Sequence, residues 1–317
     1  MKFTSILTTA AVVAITATQA VAEYPEKPIE MILPWPALAT SADVVARKVV
    51  DQMSPLLGET IKVVNKPGGA AVVGTNEMVR ARADGYTIGG LSIGPAVSQI
   101  AAGNTPYTMD DMEPIGLFST LPYLIAARGD APFDDIESLA AWAKSSGEKP
   151  ILAHWGKATV PTLSTYRIAN AAGFEFNEVA YTNVDSSQLL NNEADLAIVP
   201  VASVVGGIRD GSLKGIVALT PSRIPALPDL PTVREQGMDF DVSIWIGLFA
   251  PKNTPESVIN SLYDAMAHAV ETDDVKDFSK ESDVLVYALS PQDTKAQMQS
   301  EYDAFRGVMG DLGLIKK

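Results

Sequence analysis

Short β-branched or apolar runs recur along the chain, with helical patterns between them. Ile29–Leu33, Ile61–Val64, Thr87–Leu91, Tyr123–Ala126, Ile151–Ala153, Asp195–Val199, Gly215–Leu219 and Ser243–Ala250 read as strands. Ala42–Met53, Ile136–Ala143, Leu163–Ala171 and Val258–Val270 read as helices. In the first of these Val45, Val49 and Met53 lie four apart, and in the last Leu262, Met266 and Val270 form one stripe. A final helix starts after Ser290-Pro291, a cap residue followed by a first-turn proline, and turns Met298, Tyr302, Phe305 and Met309 toward a core. Strand and helix alternate, which predicts an α/β protein with largely parallel sheets. Gly and Pro mark the joints, and the three-residue spacing of Pro225, Pro228 and Pro231 predicts an extended, polyproline-like strap.

The 317 residues suggest two domains, and two open α/β units place a ligand in the cleft where strand ends meet helix starts. Four loops after strands are therefore of interest: Pro34–Asp43, Asn65–Thr75, Ser92–Ser98 and His154–Thr162. The chain begins differently. Lys2 precedes an apolar run, Ile6 to Val21, that ends in Ala20-Val21-Ala22, the pattern of a secretory signal peptide over residues 1–22, cleaved after Ala22. Interruption by Thr8, Thr9, Thr16, Thr18 and Gln19 argues against a membrane anchor, and no later run reaches the roughly 18 apolar residues of a spanning helix. These features predict a protein exported out of the cytoplasm.

Composition narrows the chemistry. With no Cys and two His, a disulfide framework, a thiolate metal site and a multi-histidine centre all lack their ligands. A net charge of −14 repels phosphate backbones, so nucleic acid is not an expected partner.

The loops carry the candidate chemistry. Pro34 to Asp43 joins a strand to a helix; the unpaired N–H groups of such a helix start hold a carboxylate without Lys or Arg. Asp43 would itself repel an anion and is assigned to shaping the loop. Gly90-Leu91-Ser92-Ile93-Gly94 matches the G-x-S-x-G nucleophile elbow, so an exported serine hydrolase using Ser92 is an alternative function. That triad lacks an obvious base, because His268 sits mid-helix and His154 precedes most candidate acids. Asn65-Lys66-Pro67-Gly68-Gly69 lacks the Gly-Lys-Ser/Thr end of a phosphate loop and reads as a tight, closely packed turn. His154-Trp155-Gly156-Lys157-Ala158-Thr159 brings a flat apolar wall, a charge and a hydroxyl to one loop, a set suited to an organic anion.

Several stretches together resemble the substrate-binding proteins of tripartite tricarboxylate transporters, the Bug family. They run collinearly from Tyr24-Pro25-Glu26-Lys27-Pro28-Ile29 through Val63-Val64-Asn65-Lys66-Pro67-Gly68 and Asp84-Gly85-Tyr86-Thr87. Ala226-Leu227-Pro228-Asp229-Leu230-Pro231-Thr232 and Trp245-Ile246-Gly247-Leu248-Phe249-Ala250-Pro251 follow. The resemblance implies a type II periplasmic-binding-protein fold, with two α/β lobes joined by two crossing strands. Tyr123–Ala127 and Ser243–Ala250 would be the crossings, residues 23–123 plus 245–317 the first lobe, and 124–244 the second. It further implies a monomeric periplasmic receptor without catalysis, metal or cofactor that captures a small carboxylate, often a dicarboxylate, and delivers it to a two-component membrane permease; the flat walls of Trp35 and Trp155 favour an aromatic carboxylate. Presentation of the closed form to a membrane sensor kinase is the other outcome such a cleft allows.

The chain departs from the family pattern where the ligand would lie. Leu38-Ala39 replace the glycines of the first loop; His154, Trp155 and Lys157 replace small or neutral residues of the third; and Ala180-Tyr181-Thr182-Asn183 lacks the Gly of P-Y-x-G. The expected ligand set is Trp35, Pro36, Ala37, Thr40, Ser41, Asp43 and Ser92 from one lobe. From the other come His154, Trp155, Lys157, Thr159, Tyr181 and Asn183. Hydroxyls and backbone at Thr40, Ser41, Ser92 and Thr159 would hold the carboxylate, Trp35 and Trp155 would flank its body, and Lys157 would pair with its charge.

Overall fold

The computed structural model describes residues 24–37, 41–181, 183–282 and 284–316, with Ser41 as backbone only. The expected signal segment 1–22, its cleavage after Ala22, Thr40 and the Ser41 side chain lie outside the described residues. Two mixed sheets form the scaffold. One contains β1 (Ile29–Leu33), β2 (Ile61–Asn65), β3 (Thr87–Ser92) and β4 (Met112–Thr120). The other contains β5 (Tyr123–Arg128), β6 (Ile151–His154), β7 (Asn177–Ala180), β8 (Leu196–Pro200) and β9 (Leu213–Leu219). The chain then returns to the first sheet with β10 (Trp245–Pro251) and β11 (Leu285–Leu289). Strand orders are β11-β4-β10-β3-β1-β2 and β7-β6-β8-β5-β9.

The largely parallel expectation needs correction. β1 pairs in parallel with β2 and β3, and β6 with β7 and β8, but β10 and β5 each run antiparallel to both neighbours. The reason is connectivity: β5 and β10 enter their sheets from the other lobe, so no right-handed helical crossover aligns them with their neighbours. The crossings are also displaced from the expected strands. Tyr123–Ala127 lies within β5 and Ser243–Ala250 mostly within β10, each belonging to one sheet. The chain passes between sheets at Leu121-Pro122 and through residues 220–244. The two passages touch where Leu121 N–H donates to the Ile244 carbonyl (3.0 Å) and Ser243 Oγ to Thr120 Oγ1 (2.8 Å).

Of the longer helices, α1 (Ser41–Leu57), α2 (Val72–Val79), α3 (Ile136–Ser146) and α4 (Val160–Ala172) precede the return. After it come α5 (Glu256–Ala269), α6 (Asp273–Ser282) and α7 (Pro291–Asp311). Ser290 caps α7 by accepting from Asp293 N–H (3.1 Å), and Met298, Phe305 and Met309 are buried as the spacing predicts. Helices cover both faces of each sheet, giving two apolar layers per lobe. One layer crosses the lobe boundary: Val160 and Leu163 of α4 pack with Trp245 and Met298 of the first lobe. The proline strap is not extended. Leu227 N–H bonds Ile224 O (2.9 Å) and Leu230 N–H bonds Leu227 O (3.1 Å), because successive turns tuck Ile224, Leu227 and Leu230 beneath the second sheet.

The turn after β2 is as tight as its glycines suggest. A Cβ on Gly74 would meet the Lys66 carbonyl at 2.6 Å, and Gly68, Gly69, Ala70 and Ala71 all carry positive φ, at 134°, 56°, 54° and 73°. The left-handed region costs an L-residue about 1–2 kcal/mol, against about 0.5–1 kcal/mol for the extra chain entropy of glycine. Exposed Ala70 therefore makes Ala70→Gly a stabilising change of about 0.5 kcal/mol, measurable as a raised urea midpoint; a lowered midpoint would contradict the strain.

Candidate functional site

The first-lobe half of the site is built around a buried carboxylate. Asp43, in the first turn of α1, is fully buried; it accepts from Arg47 Nε (2.8 Å) and from Asn65 Nδ2 (2.6 Å). Arg47 Nη2 reaches Asn65 Oδ1 (2.5 Å), and the same Asn65 amide donates to the Trp35 carbonyl (2.9 Å). Parallel pairing of Leu33 with Asn65 brings the end of β2 beside the first loop. The indole of Trp35 rests half-buried on the core, while Pro36 and Ala37 are exposed. Asp43 thus points inward as the anchor of this loop. Arg47 and Asn65 escape a reading by composition, although the i,i+4 spacing of Asp43 and Arg47 is a legible pair.

Ser92 ends β3, half-buried, opposite Ile246 of β10, and leads into a short helical turn, Gly94–Ser98. No histidine serves it. His154 Nδ1 accepts from Gly156 N–H (2.9 Å), its Nε2 lies 3.3 Å from Glu178 Oε2, and His268 sits in the last turn of α5. The G-x-S-x-G sequence is a strand end followed by a turn, without the acid–base partner an elbow requires.

The second-lobe half centres on Glu178, a residue of β7 that the sequence reading missed. Register pairs Leu152 with Glu178 and His154 with Ala180, so the loop after β6 folds over this carboxylate. Lys157 Nζ forms an ion pair with Glu178 Oε1, and Tyr166 OH donates to Oε2 (2.7 Å). Burial raises the Glu178 carboxyl's pKa, but the bonds from Lys157 and Tyr166 and the neighbouring positive charge outweigh it and hold it below the usual range. His154 is almost fully buried; desolvation pushes its pKa down against the pull of Glu178, so the ring is neutral and internal rather than a cleft wall. Trp155 is half-buried with its Nε1–H on the Ile198 carbonyl (3.3 Å). Thr159 Oγ1 donates to Gly156 O (3.0 Å) and lies 2.9 Å from Thr162 Oγ1, which closes the loop at the start of α4. Tyr181 N–H continues the sheet to His154 O (2.9 Å), and Asn183 is exposed and turned to Asp185 (2.8 Å). The structure therefore gathers His154 and Lys157 with Glu178 and Tyr166, while Thr159 closes the loop beside them.

These loops lie at the strand ends of two α/β sheets between which the chain crosses twice. Residues 45–314 match the family model of the tripartite tricarboxylate transporter family receptor, TctC. The chain belongs to this family. A TctC solute-binding protein from Polaromonas, solved without ligand, is 25% identical and superposes with a TM-score of 0.83, covering 91% of this chain and 99% of that one. The periplasmic binding protein BugD is 30% identical over 93% of this chain and all of its own, with a TM-score of 0.63. MatC from Rhodopseudomonas palustris, with bound malate, is 25% identical over 90% and 99%, with a TM-score of 0.64. The chain is thus a periplasmic solute-binding protein with the periplasmic-binding-protein fold, and like its relatives a receptor rather than an enzyme. The hydrolase alternative for Ser92 falls. Among the described residues no helix is long and apolar enough to cross a membrane.

Proposed function

We propose that this receptor captures a small di- or aromatic carboxylate between its lobes, closes by hinge motion, and hands the ligand to a two-component membrane permease. One contrast carries the closing motion. The ligand-free Polaromonas protein and malate-bound MatC share the same identity and nearly the same coverage with this chain, yet the first superposes at 0.83 and the second at 0.64. Equal sequence distance with unequal superposition supports a difference in lobe arrangement, with this chain in the open form. Residues 23–123 plus 245–317 and residues 124–244 are the two moving bodies, exported as a monomer after cleavage at Ala22.

On closure the Trp35–Ala37 loop, the start of α1 at Ser41, and Ser92 face the Trp155–Thr159 loop, with Tyr181 and Asn183 at its edge. Backbone N–H groups and hydroxyls hold the carboxylate, as helix starts do for anions. The net negative charge does not forbid this, since salt screens a distributed field beyond about 10 Å. Lys157 meets the ligand by exchanging Glu178 for the incoming carboxylate. A thermal-shift panel of malate, longer dicarboxylates and aromatic carboxylates tests the reading: one class raises the melting temperature and shrinks the radius of gyration in X-ray scattering. Lys157→Met then binds that ligand about tenfold more weakly, the loss of one partly exposed charge-assisted contact. Stabilisation by sugars or cationic amino acids alone would overturn it.

A further inference from the structure

Away from those loops, α4 of the second lobe, α7 of the first and the return passage at residues 234–241 line a half-open pocket of about 240 Å³. Arg167 of α4 lines it. Its guanidinium carbon lies 3.9 Å above the Phe240 ring, and the side chain makes no hydrogen bond or ion pair with any described residue. Burial pushes the Arg167 pKa down, and Glu301 and Asp241 oppose this only through space. The other groups on the wall are already engaged. Arg234 forms a two-pronged pair with Asp241 (2.8 and 2.8 Å), and the Asp239 side chain stands fully in solvent. Glu301, buried, accepts from Trp245 Nε1 (2.8 Å) and Gln297 Nε2 (3.0 Å), and its pKa is pushed up to about 7 by burial. Tyr287 of β11, facing Glu301, is kept neutral by burial. Ser300 of α7 opens on the same cavity with its hydroxyl bonded to no described residue.

We propose that this cavity binds one small planar monocarboxylate, seated two-pronged on the Arg167 guanidinium with the Ser300 hydroxyl as a further donor. The planar fork of arginine matches a carboxylate better than a spherical ion. With Asp241 engaged by Arg234, Asp239 turned to solvent and Glu301 protonated, Arg167 is the cation of this wall that has no carboxylate within hydrogen-bond distance among the described residues. The volume accommodates a small organic carboxylate with room to spare. Since α4 and α7 belong to different lobes, the bound anion also ties the lobes on the side of Trp245. Binding is linked to a proton, because an added negative charge favours protonated Glu301; affinity rises as pH falls through 7 and weakens above it.

The indole N–H of Trp245 donates to Glu301 and reports on this cavity without involving Trp35 or Trp155. In an NMR titration of the mature chain with acetate, ionic strength held with chloride, the Trp245 indole resonance should move saturably near pH 6. The apparent affinity should fall about fivefold near pH 8, and about tenfold in Arg167→Gln, the loss expected for a charge-assisted two-pronged contact. Lys157→Met should leave it unchanged, which separates this site from the interlobe ligand, and Glu301→Gln should bind with no pH dependence. If Arg167→Gln does not give a native spectrum, Arg167→Lys, which keeps the charge but not the fork, should still bind about fivefold more weakly than wild type. No saturable movement with acetate, an equal response to chloride alone, or full affinity in a folded Arg167 variant would overturn the proposal.

Discussion

Asp43→Ala is expected to lower the stability of the folded chain by about 3 kcal/mol and to weaken ligand capture together with it. The carboxylate is fully buried and neutralises Arg47 while holding the Asn65 amide, which in turn fixes the Trp35 carbonyl. Truncation strands a guanidinium and an amide that have already left water, and breaking a buried pair costs about 3–5 kcal/mol. The lower end applies because the Arg47 side chain is 30% exposed and recovers some hydration. Asp43→Asn keeps an acceptor for one neighbour and loses the charge, so it should fall between wild type and alanine. Urea unfolding of the three proteins gives the ranking, and an unchanged midpoint for Asp43→Ala would show that the first loop stands without its anchor.

How far such features are legible in sequence depends on how far apart their partners lie. The cap of α7 is local chemistry, Ser290 and Pro291 acting on Asp293, and it is readable; so are β5 and β8, whose apolar runs are nearly continuous. β4 escapes notice because Glu113, Pro114 and Gly116 interrupt its pattern, and β7 because most of its residues are exposed on a sheet edge. Antiparallel entry of β5 and β10 follows from chain passage between lobes, which no local window records. The same distance rule sorts the site. Asp43 as a loop-shaping residue is visible from its own position, but its partner Asn65 arrives through β1–β2 register. The dense third loop is visible as chemistry, whereas the destination of Lys157 is not, since Glu178 reaches it through pairing of an unrecognised strand.

Glu301→Gln should stabilise the protein by roughly 3 kcal/mol near pH 8 and by nothing below about pH 4. Glu301 is buried, and burial pushes its folded pKa up to about 7, while in the unfolded chain it titrates near 4.3. An acid with a raised folded pKa holds its proton more tightly in the native state. Its ionisation therefore takes stability away as pH rises from the unfolded value through 7, and above 7 the penalty is complete. Glutamine cannot ionise, so wild type and variant diverge across that window and run parallel outside it. The substitution preserves packing: one amide oxygen still accepts from Trp245 Nε1, and the Gln297 amide can turn to accept from the new NH₂ group. Denaturation curves of both proteins from pH 4 to 8 measure the gap. A gap independent of pH would place the effect in packing. A variant less stable than wild type near pH 8 would mean that Arg167 compensates the Glu301 charge in the folded state, leaving no unpaired guanidinium to face the α4–α7 cavity.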